Sequence, residues 1–163
     1  MNIFVLDEDP IISAQLQCDK HCVKMILESA QMLCSAFPQG EAPYKKAFFN
    51  HPCSRWARAS LDNYEWLLTH AYALVDEYLY RYGKIHKSLD VIQWCDDNYH
   101  NLNLPDIGLT EFAQAMPEEY KNEDAVQAYR SYYFNDKKHF AKWTKREVPN
   151  FMTSMQIQHE FSI

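Results

Sequence analysis

The chain has 163 residues and a mass of 19.3 kDa, which is the size of a single domain. Hydrophobic residues make up 47% of it and charged residues 23%, a composition that excludes wholesale disorder. Only 3 residues are glycine, which argues against a turn-rich β fold and against a glycine-rich phosphate loop. The net charge of -6 argues against a protein whose main task is to bind the nucleic-acid backbone.

The sequence shows no pattern typical of export or of a membrane anchor. No apolar run approaches the roughly 18 to 20 residues of a membrane span. Acidic residues appear close to the N-terminus, where a signal peptide carries basic ones. The cysteines are odd in number and lack disulfide-scaffold spacing; they are Cys18, Cys22, Cys34, Cys53 and Cys95. These features predict a cytoplasmic protein with no membrane partner.

The first part of the chain predicts a short extended segment followed by a long helix. Residues 2–6 are predicted to be extended, and Asp9 with Pro10 fits the N-cap and first position of a helix. Apolar residues then recur at helical spacing, so we predict a helix over residues 11–36. Its apolar stripe consists of Val23, Ile26, Leu27, Ala30, Leu33 and Cys34.

A second long helix is predicted over residues 54–82, after a proline-containing loop at 38–54, and Gly83 fits the position just past its end. Further helices are predicted at 88–97, 117–134 and 139–146, with a loop at 98–108 and a helical turn at 109–116. The expected fold class is all-α. We expect a compact, single helical domain over residues 1–163, with two long helices and a short extended N-terminus.

One side of the first long helix carries residues suited to acid–base chemistry. His21, Lys24, Glu28 and Gln31 fall within about 80° of arc on a helix. A carboxylate near an imidazole and an ammonium suits general acid–base catalysis, and Asp19 could orient His21. The alternative is that this face is plain solvent-exposed surface.

Basic and aromatic residues cluster at three other places. Two arginines follow His51 at the start of the second helix, a basic group surrounds Gly83, and tyrosines alternate with bases near residue 130. Such sets suit phosphate contacts and base stacking, although surface charges and core tyrosines explain them equally well. The candidate substrate-binding residues are Asp19, Lys20, Lys24, His51, Arg55, Arg58, Arg81, Lys84, His86, Tyr129 and Arg130.

The spacing of the cysteines gives only weak support for a metal site. Cys18, His21 and Cys22 lie within about one helical turn, but a second close ligand pair is missing, so we predict no metal and no cofactor. A nucleophilic cysteine paired with His21 stays open as an alternative.

The segment from Asp19 to Glu28 resembles the catalytic helix of the phage pyrimidine-dimer DNA glycosylases, the family of phage endonuclease V. That family also has Asp-x-His followed seven residues later by a catalytic glutamate, after a short extended N-terminus. Residues 116–121 are similar to its Pro-x-Glu-aromatic-basic stretch, and the helix before Gly83 is similar to its long central helix. The sequence also resembles phage proteins that share the segments 19–21, 51–52, 81–84 and 114–117, which would place it in an infected bacterium.

The resemblance implies a compact all-α protein without metal that acts on nucleic acid. In the family, the N-terminal α-amine attacks C1′ of a damaged nucleotide and forms an imine. The amine implied here is that of Met1, because Asn2 is too large for routine removal of the initiator. Glu28 would stabilise the sugar cation and take a proton during strand elimination, and His21 would assist.

Two features differ from the family, since Leu27 stands where it has arginine and the chain is acidic where it is basic. Other classes of function therefore stay open. One is the binding or modification of a free, nucleotide-type phosphorylated small molecule, including nucleotide signal molecules. Another is a non-enzymatic protein of phage–host interaction. The many aromatic residues would also suit a homodimer interface.

Overall fold

The computed structural model describes residues 1–153, which form helices joined by loops with no strand among them, so the all-α prediction is confirmed. The predicted domain also includes residues 154–163, which lie outside the described part. The α-helices are α1 (Pro10–Leu16), α2 (Asp19–Ser35), α3 (Pro52–Ala59), α4 (Leu61–Tyr82), α5 (Leu89–Asn98) and α6 (Ala125–Tyr132). Shorter 3-10 turns cover Tyr99–Leu102 and Glu118–Tyr120, and a π turn covers Tyr133–Lys137. None of the helices within residues 1–153 combines the length and apolarity that crossing a bilayer requires.

The first predicted long helix is in fact two helices, separated at Gln17 and Cys18. Asp9 and Pro10 begin α1 as predicted, because the Asp9 carboxylate accepts hydrogen bonds from two backbone N–H groups. At Gln17 the backbone becomes extended, and its side-chain amide donates to the carbonyl oxygens of Ile3 and Phe4 at 2.9 and 3.2 Å. The helix ends here because the Gln17 side chain is needed as the hydrogen-bond donor for carbonyl groups of the buried N-terminal segment.

The second predicted long helix is also divided. Ser60 is extended, with φ of -153°, and its hydroxyl accepts a hydrogen bond from the N–H of Asn63 at 3.0 Å, which makes it the N-cap of α4. The end of α4 is as predicted, because Gly83 adopts a left-handed conformation at φ 70° and donates its N–H to Leu79 at 2.8 Å.

Several helices predicted in the C-terminal half of the chain differ from the structure. A helix forms at α5 as expected, but residues 109–116 and 139–146 are not helical, and α6 begins only at Ala125, with the Asp124 side chain as its N-cap. The segment around residue 144 instead uses its hydrogen-bonding groups on other elements. Trp143 donates to the Leu16 carbonyl at 2.7 Å and Thr144 donates to Asp19. Tertiary partners thus outcompete local helix formation here.

The core lies between α2 and α4, which run antiparallel. Tyr64, near the start of α4, donates its hydroxyl to the carbonyl of Leu33 near the end of α2, whereas Arg81 meets Asp19 at the opposite end. The N-terminal segment is itself part of the core, since all residues from Ile3 to Leu6 are at most 5% exposed.

This buried segment changes which face of α2 is covered. Val23 and Leu27, expected in the apolar stripe, are 37% and 39% exposed. His21 and Glu28, by contrast, are buried. The placement of Val23 and Leu27 in the core was therefore wrong, because the N-terminal segment packs against the side of α2 that periodicity alone assigns to polar residues.

Candidate active site

The N-terminal segment approaches α2 through a strained turn. Phe4 is buried with a left-handed φ of 56°, a conformation that is unfavourable for a residue with a bulky side chain. Its carbonyl accepts a hydrogen bond from Ser13, and the carbonyl of Leu6 accepts one from Arg130 at 2.9 Å. The Asn2 side chain donates to the Ala115 carbonyl at 2.8 Å. These contacts fix the path that brings Met1 to the middle of α2.

Met1 and Glu28 form the centre of the candidate site. The α-amino nitrogen of Met1 lies 3.2 Å from Oε1 of Glu28. The Met1 side chain is fully enclosed while the residue as a whole is half-buried, so its exposed area lies on its backbone. Oε2 of Glu28 is buried without a hydrogen-bond partner among residues 1–153, and Nζ of Lys24 is 4.0 Å from it. The α-amine of Met1 and the carboxylate of Glu28 are thus in direct contact.

His51 lies beside this pair. Its Nδ1 accepts a hydrogen bond from the N–H of Cys53 at 3.1 Å, so the ring is the N-cap of α3, with Pro52 at the first helical position. Burial lowers the pKa of His51, the positive charge of the Met1 amine lowers it further, and the negative charge of Glu28 opposes both. Because Nδ1 is used as an acceptor, Nε2 is the ring atom left to carry or transfer a proton.

Cysteine chemistry receives little support. Burial raises the pKa of Cys53, next to the site, to about 11, and burial raises that of Cys22 to about 12. Both thiols therefore stay protonated at neutral pH and are poor nucleophiles. Within the described residues, no three His, Cys, Asp or Glu side chains are grouped so that they could hold a metal ion.

His21 is held in a separate buried cluster. Its Nδ1 lies 2.6 Å from the hydroxyl of Tyr133, and its ring stacks on Phe4 with centroids 4.0 Å apart. Burial, and then the charges of Lys137, Lys24 and Lys20, lower the pKa of His21 to about 3. It lies two helical turns, about 10 Å, from Glu28 along α2. The structure therefore brings Glu28 to Met1 and His51 and does not bring His21 into contact with them.

Asp19 and Arg81 belong to a buried ion-pair network. Arg81 donates to Glu77 at 2.8 Å and to Asp19 at 3.1 Å, and Glu77 also binds Arg146. Burial by itself would raise the pKa of Asp19, but hydrogen bonds from Thr144 and Arg81 lower it overall. Asp19 is directed at Arg81 and Thr144 and not at His21.

The remaining candidates are dispersed. Tyr129 is buried and donates its hydroxyl to the Ala113 carbonyl at 2.6 Å, and Arg130 binds Leu6 and Asp7 in the N-terminal segment. Lys84 is exposed in the turn after α4, where the ring of His86 accepts from the N–H of Ser88. Arg55 is exposed on α3, and Arg58 faces a cleft described below.

Three lysines surround the buried ring of His21, and we call them the lysine cluster: Lys20, Lys24 and Lys137. Nζ of Lys20 lies 4.6 Å from the Phe140 ring centroid, and Nζ of Lys137 lies 4.7 Å from that of Tyr132. Sequence reasoning missed Lys137, and the only signal for it was the mixture of bases and aromatics in its segment. The cluster supplies local positive charge around His21 in a chain that is acidic overall, and Lys24 extends that charge to Glu28.

Comparison with known proteins identifies a family for this chain. A family model described as pyrimidine dimer DNA glycosylase matches residues 1–91, the part that contains Met1, Glu28 and His51. No curated protein and no solved structure matches the chain. The family model covers more than half of the sequence, and the resemblance noted from the helix motif is confirmed. The chain belongs to the pyrimidine dimer DNA glycosylase family.

Proposed function

We propose that this protein is a DNA glycosylase and lyase that uses the α-amine of Met1 as nucleophile and Glu28 as its catalytic carboxylate. The observation that carries the proposal is the 3.2 Å contact between that amine and Oε1 of Glu28. The family match supports the substrate class, a pyrimidine dimer in DNA. Neither a metal nor a cofactor enters the proposal.

In the first stage, the amine loses a proton and attacks C1′ of the damaged nucleotide. The bond between C1′ and the base nitrogen breaks, and the base leaves with the bonding electron pair and takes up a proton. Glu28 stabilises the positive charge that develops on the sugar, because its buried carboxylate acts where solvent screening is weak. Opening of the sugar ring then gives an imine between C1′ and the Met1 nitrogen.

In the second stage, the imine makes the proton on C2′ acidic. A carboxylate oxygen of Glu28 accepts this proton, and the bond between C3′ and its phosphate oxygen breaks. Oε2 of Glu28, buried and without a hydrogen-bond partner among residues 1–153, is free for this step. Water hydrolyses the imine and restores the amine. His51, whose lowered pKa favours the neutral ring, can relay a proton through Nε2.

DNA binding in this proposal depends on local charge. The net charge of -6 disfavours a broad nucleic-acid surface, but the lysine cluster places cations and aromatic rings together around His21, and Nζ of Lys24 lies 4.0 Å from Oε2 of Glu28. Phosphate contacts from Lys20 and Lys24 would hold the strand, since both are exposed on α2.

Borohydride trapping tests the proposal, because it reduces an imine to a stable amine. The intact protein is incubated with UV-irradiated, abasic and undamaged duplexes, and the adduct is located by peptide mass. We expect an adduct on the Met1 peptide with UV-irradiated and abasic DNA only. As a matched control, one glycine inserted before Met1 should abolish trapping because it displaces the amine from Glu28. A folded protein that gives no adduct on any duplex would refute the proposal and favour a non-enzymatic role.

A further inference from the structure

A second cleft lies away from Met1 and Glu28. It has a volume of about 620 Å³ and forms where the end of α2 and the following loop meet α3, α5 and the 3-10 turn after α5. That volume is within the usual range of small-molecule sites. The site proposed above does not contribute to its lining, since neither Met1, Glu28 nor His51 borders it.

Arg58 gives the cleft an unsatisfied cationic donor. Its guanidinium carbon lies 3.8 Å from the centroid of the Phe49 ring, while its Nη1 is buried without a hydrogen-bond partner in residues 1–153. Within the same residues no carboxylate comes within 4 Å of it. Burial and the charge of Arg55 both lower the pKa of Arg58. A buried guanidinium N–H without an acceptor is uncommon, and an anion in the cleft is one acceptor that would satisfy it.

A second cation converges on the same ring. Nζ of Lys46 lies 4.3 Å from the Phe49 centroid, so Lys46 and Arg58 both contact the Phe49 ring. Glu41 also lines the cleft, but within residues 1–153 it is not ion-paired with either cation. The cleft therefore has two cationic side chains and one carboxylate in its lining, and Arg55 lies nearby. This charge balance gives a positive local potential that favours binding of an anion.

The rest of the lining suits a base and its sugar. Trp94 lines the cleft, and its ring packs edge-on against Phe37 at a centroid distance of 4.8 Å. Asn98 donates its amide N–H to the Trp94 carbonyl at 2.8 Å, which fixes that side chain, and Asn101 adds a second amide. Aromatic faces stack on bases and amides bind base edges, whereas cations bind phosphate.

We propose that this cleft binds a nucleoside phosphate, with Arg58 and Lys46 on the phosphate and Trp94, Asn98 and Asn101 facing the base. The ligand is either a free mononucleotide or one nucleotide of the strand held at Glu28, and the second case rests on the proposed function. Residue 36 borders the cleft eight residues beyond Glu28, about 12 Å along the axis of α2, so a strand several nucleotides long could span both sites.

Calorimetric titration of the full-length protein tests the proposal, with thymidine 5′-monophosphate, 2′-deoxyadenosine 5′-monophosphate, the matching nucleosides and inorganic phosphate as probes. We expect a mononucleotide to bind at least ten-fold more tightly than its nucleoside. Arg58→Gln and Lys46→Gln should each weaken binding at least ten-fold, and Lys45→Gln, an exposed neighbour outside the cleft, should leave it unchanged. Lys46 is exposed, so its variant keeps the test informative if the change at Arg58 affects folding.

A second arm separates the two sources of the nucleotide. If the strand occupies the cleft, Arg58→Gln and Lys46→Gln should weaken binding of an abasic duplex at least ten-fold, and the duplex should displace the mononucleotide. Borohydride trapping of the unmodified protein on the same duplex reports the Met1 chemistry by itself, so failure of the cleft is distinguishable from failure of that chemistry. If neither mononucleotide nor duplex binding depends on Arg58 or Lys46, the proposal is overturned.

Discussion

The α-amine of Met1 reaches Oε1 of Glu28 at 3.2 Å because a buried segment from Ile3 to Leu6 lies between them in the chain and packs against α2. This packing places the Glu28 carboxylate next to the amine that we propose as the nucleophile. Oε2, its second oxygen, has no hydrogen-bond partner within residues 1–153, which is unfavourable for folding.

Glu28→Gln should separate activity from stability. We expect strand cleavage at an abasic site to fall by about 10²- to 10⁴-fold, because the amide cannot accept the C2′ proton. The midpoint of thermal unfolding should change little, since the substitution also removes a buried charge. Single-turnover cleavage and calorimetry measure the two effects, with Glu111→Gln, an exposed carboxylate, as the control. Full cleavage activity in Glu28→Gln would contradict the assignment.

His51 can be tested without losing its structural role. Asparagine is also a favoured N-cap, so His51→Asn should keep the start of α3 while removing the ring. We expect about a ten-fold or larger fall in the single-turnover rate and a changed pH profile, with an unfolding free energy close to that of the unmodified protein. His51→Ala should in addition lose about 1 kcal/mol of stability through the missing cap. An unaltered pH profile in His51→Asn would assign His51 to capping alone.

His21 should make the stability of the fold depend on pH. Its pKa is about 3 in the folded protein against 6.5 for the free side chain, so between these values the unfolded chain binds one proton more. Stability therefore falls as the pH is lowered from about 6.5 towards 3, by roughly 1 kcal/mol per pH unit for this one group. His70, with a pKa lowered by burial to about 4, acts in the same direction.

Urea unfolding between pH 4 and pH 7 measures this dependence. His21→Phe should retain the stacking on Phe4 and should weaken the dependence of the unfolding free energy on pH, because the side chain that takes up the proton on unfolding is gone. The same slope in His21→Phe and in the unmodified protein would mean that His21 is not buried in its neutral form.

Arg81 and Lys84 should differ in how much they contribute to the stability of the fold. Arg81 is buried between Glu77 and Asp19, so Arg81→Met leaves buried carboxylates unpaired and should destabilise the fold by about 3–5 kcal/mol. Lys84→Met, at an exposed position, should change stability by less than about 0.5 kcal/mol. Denaturant titrations decide the matter, and an Arg81→Met protein of normal stability but weakened DNA binding would restore Arg81 as a substrate contact.

The lysine cluster should control the salt dependence of DNA binding. Lys24→Gln and Lys137→Gln should each reduce the slope of log affinity against log salt by about 1, because each removes one phosphate contact. Lys87→Gln, exposed after α4, is the control and should leave the slope as it is. Equal slopes in all three variants would argue against the cluster as the phosphate surface.

Homodimer formation stays a prediction from the aromatic content. Light scattering of the purified protein would measure the molecular mass directly, and a single species near 19.3 kDa would contradict a stable dimer.

The sequence by itself determined the all-α class, the start of α1 at Asp9 and Pro10, the end of α4 at Gly83 and the placement of Glu28 on α2. Each depends on contacts within a few residues, which a local pattern encodes. The tertiary structure alone decided that Gln17 and Ser60 interrupt the predicted helices, and that His51 rather than His21 lies beside the Met1 amine. These outcomes depend on which distant segment covers each helix face, and helical periodicity carries no information about that partner.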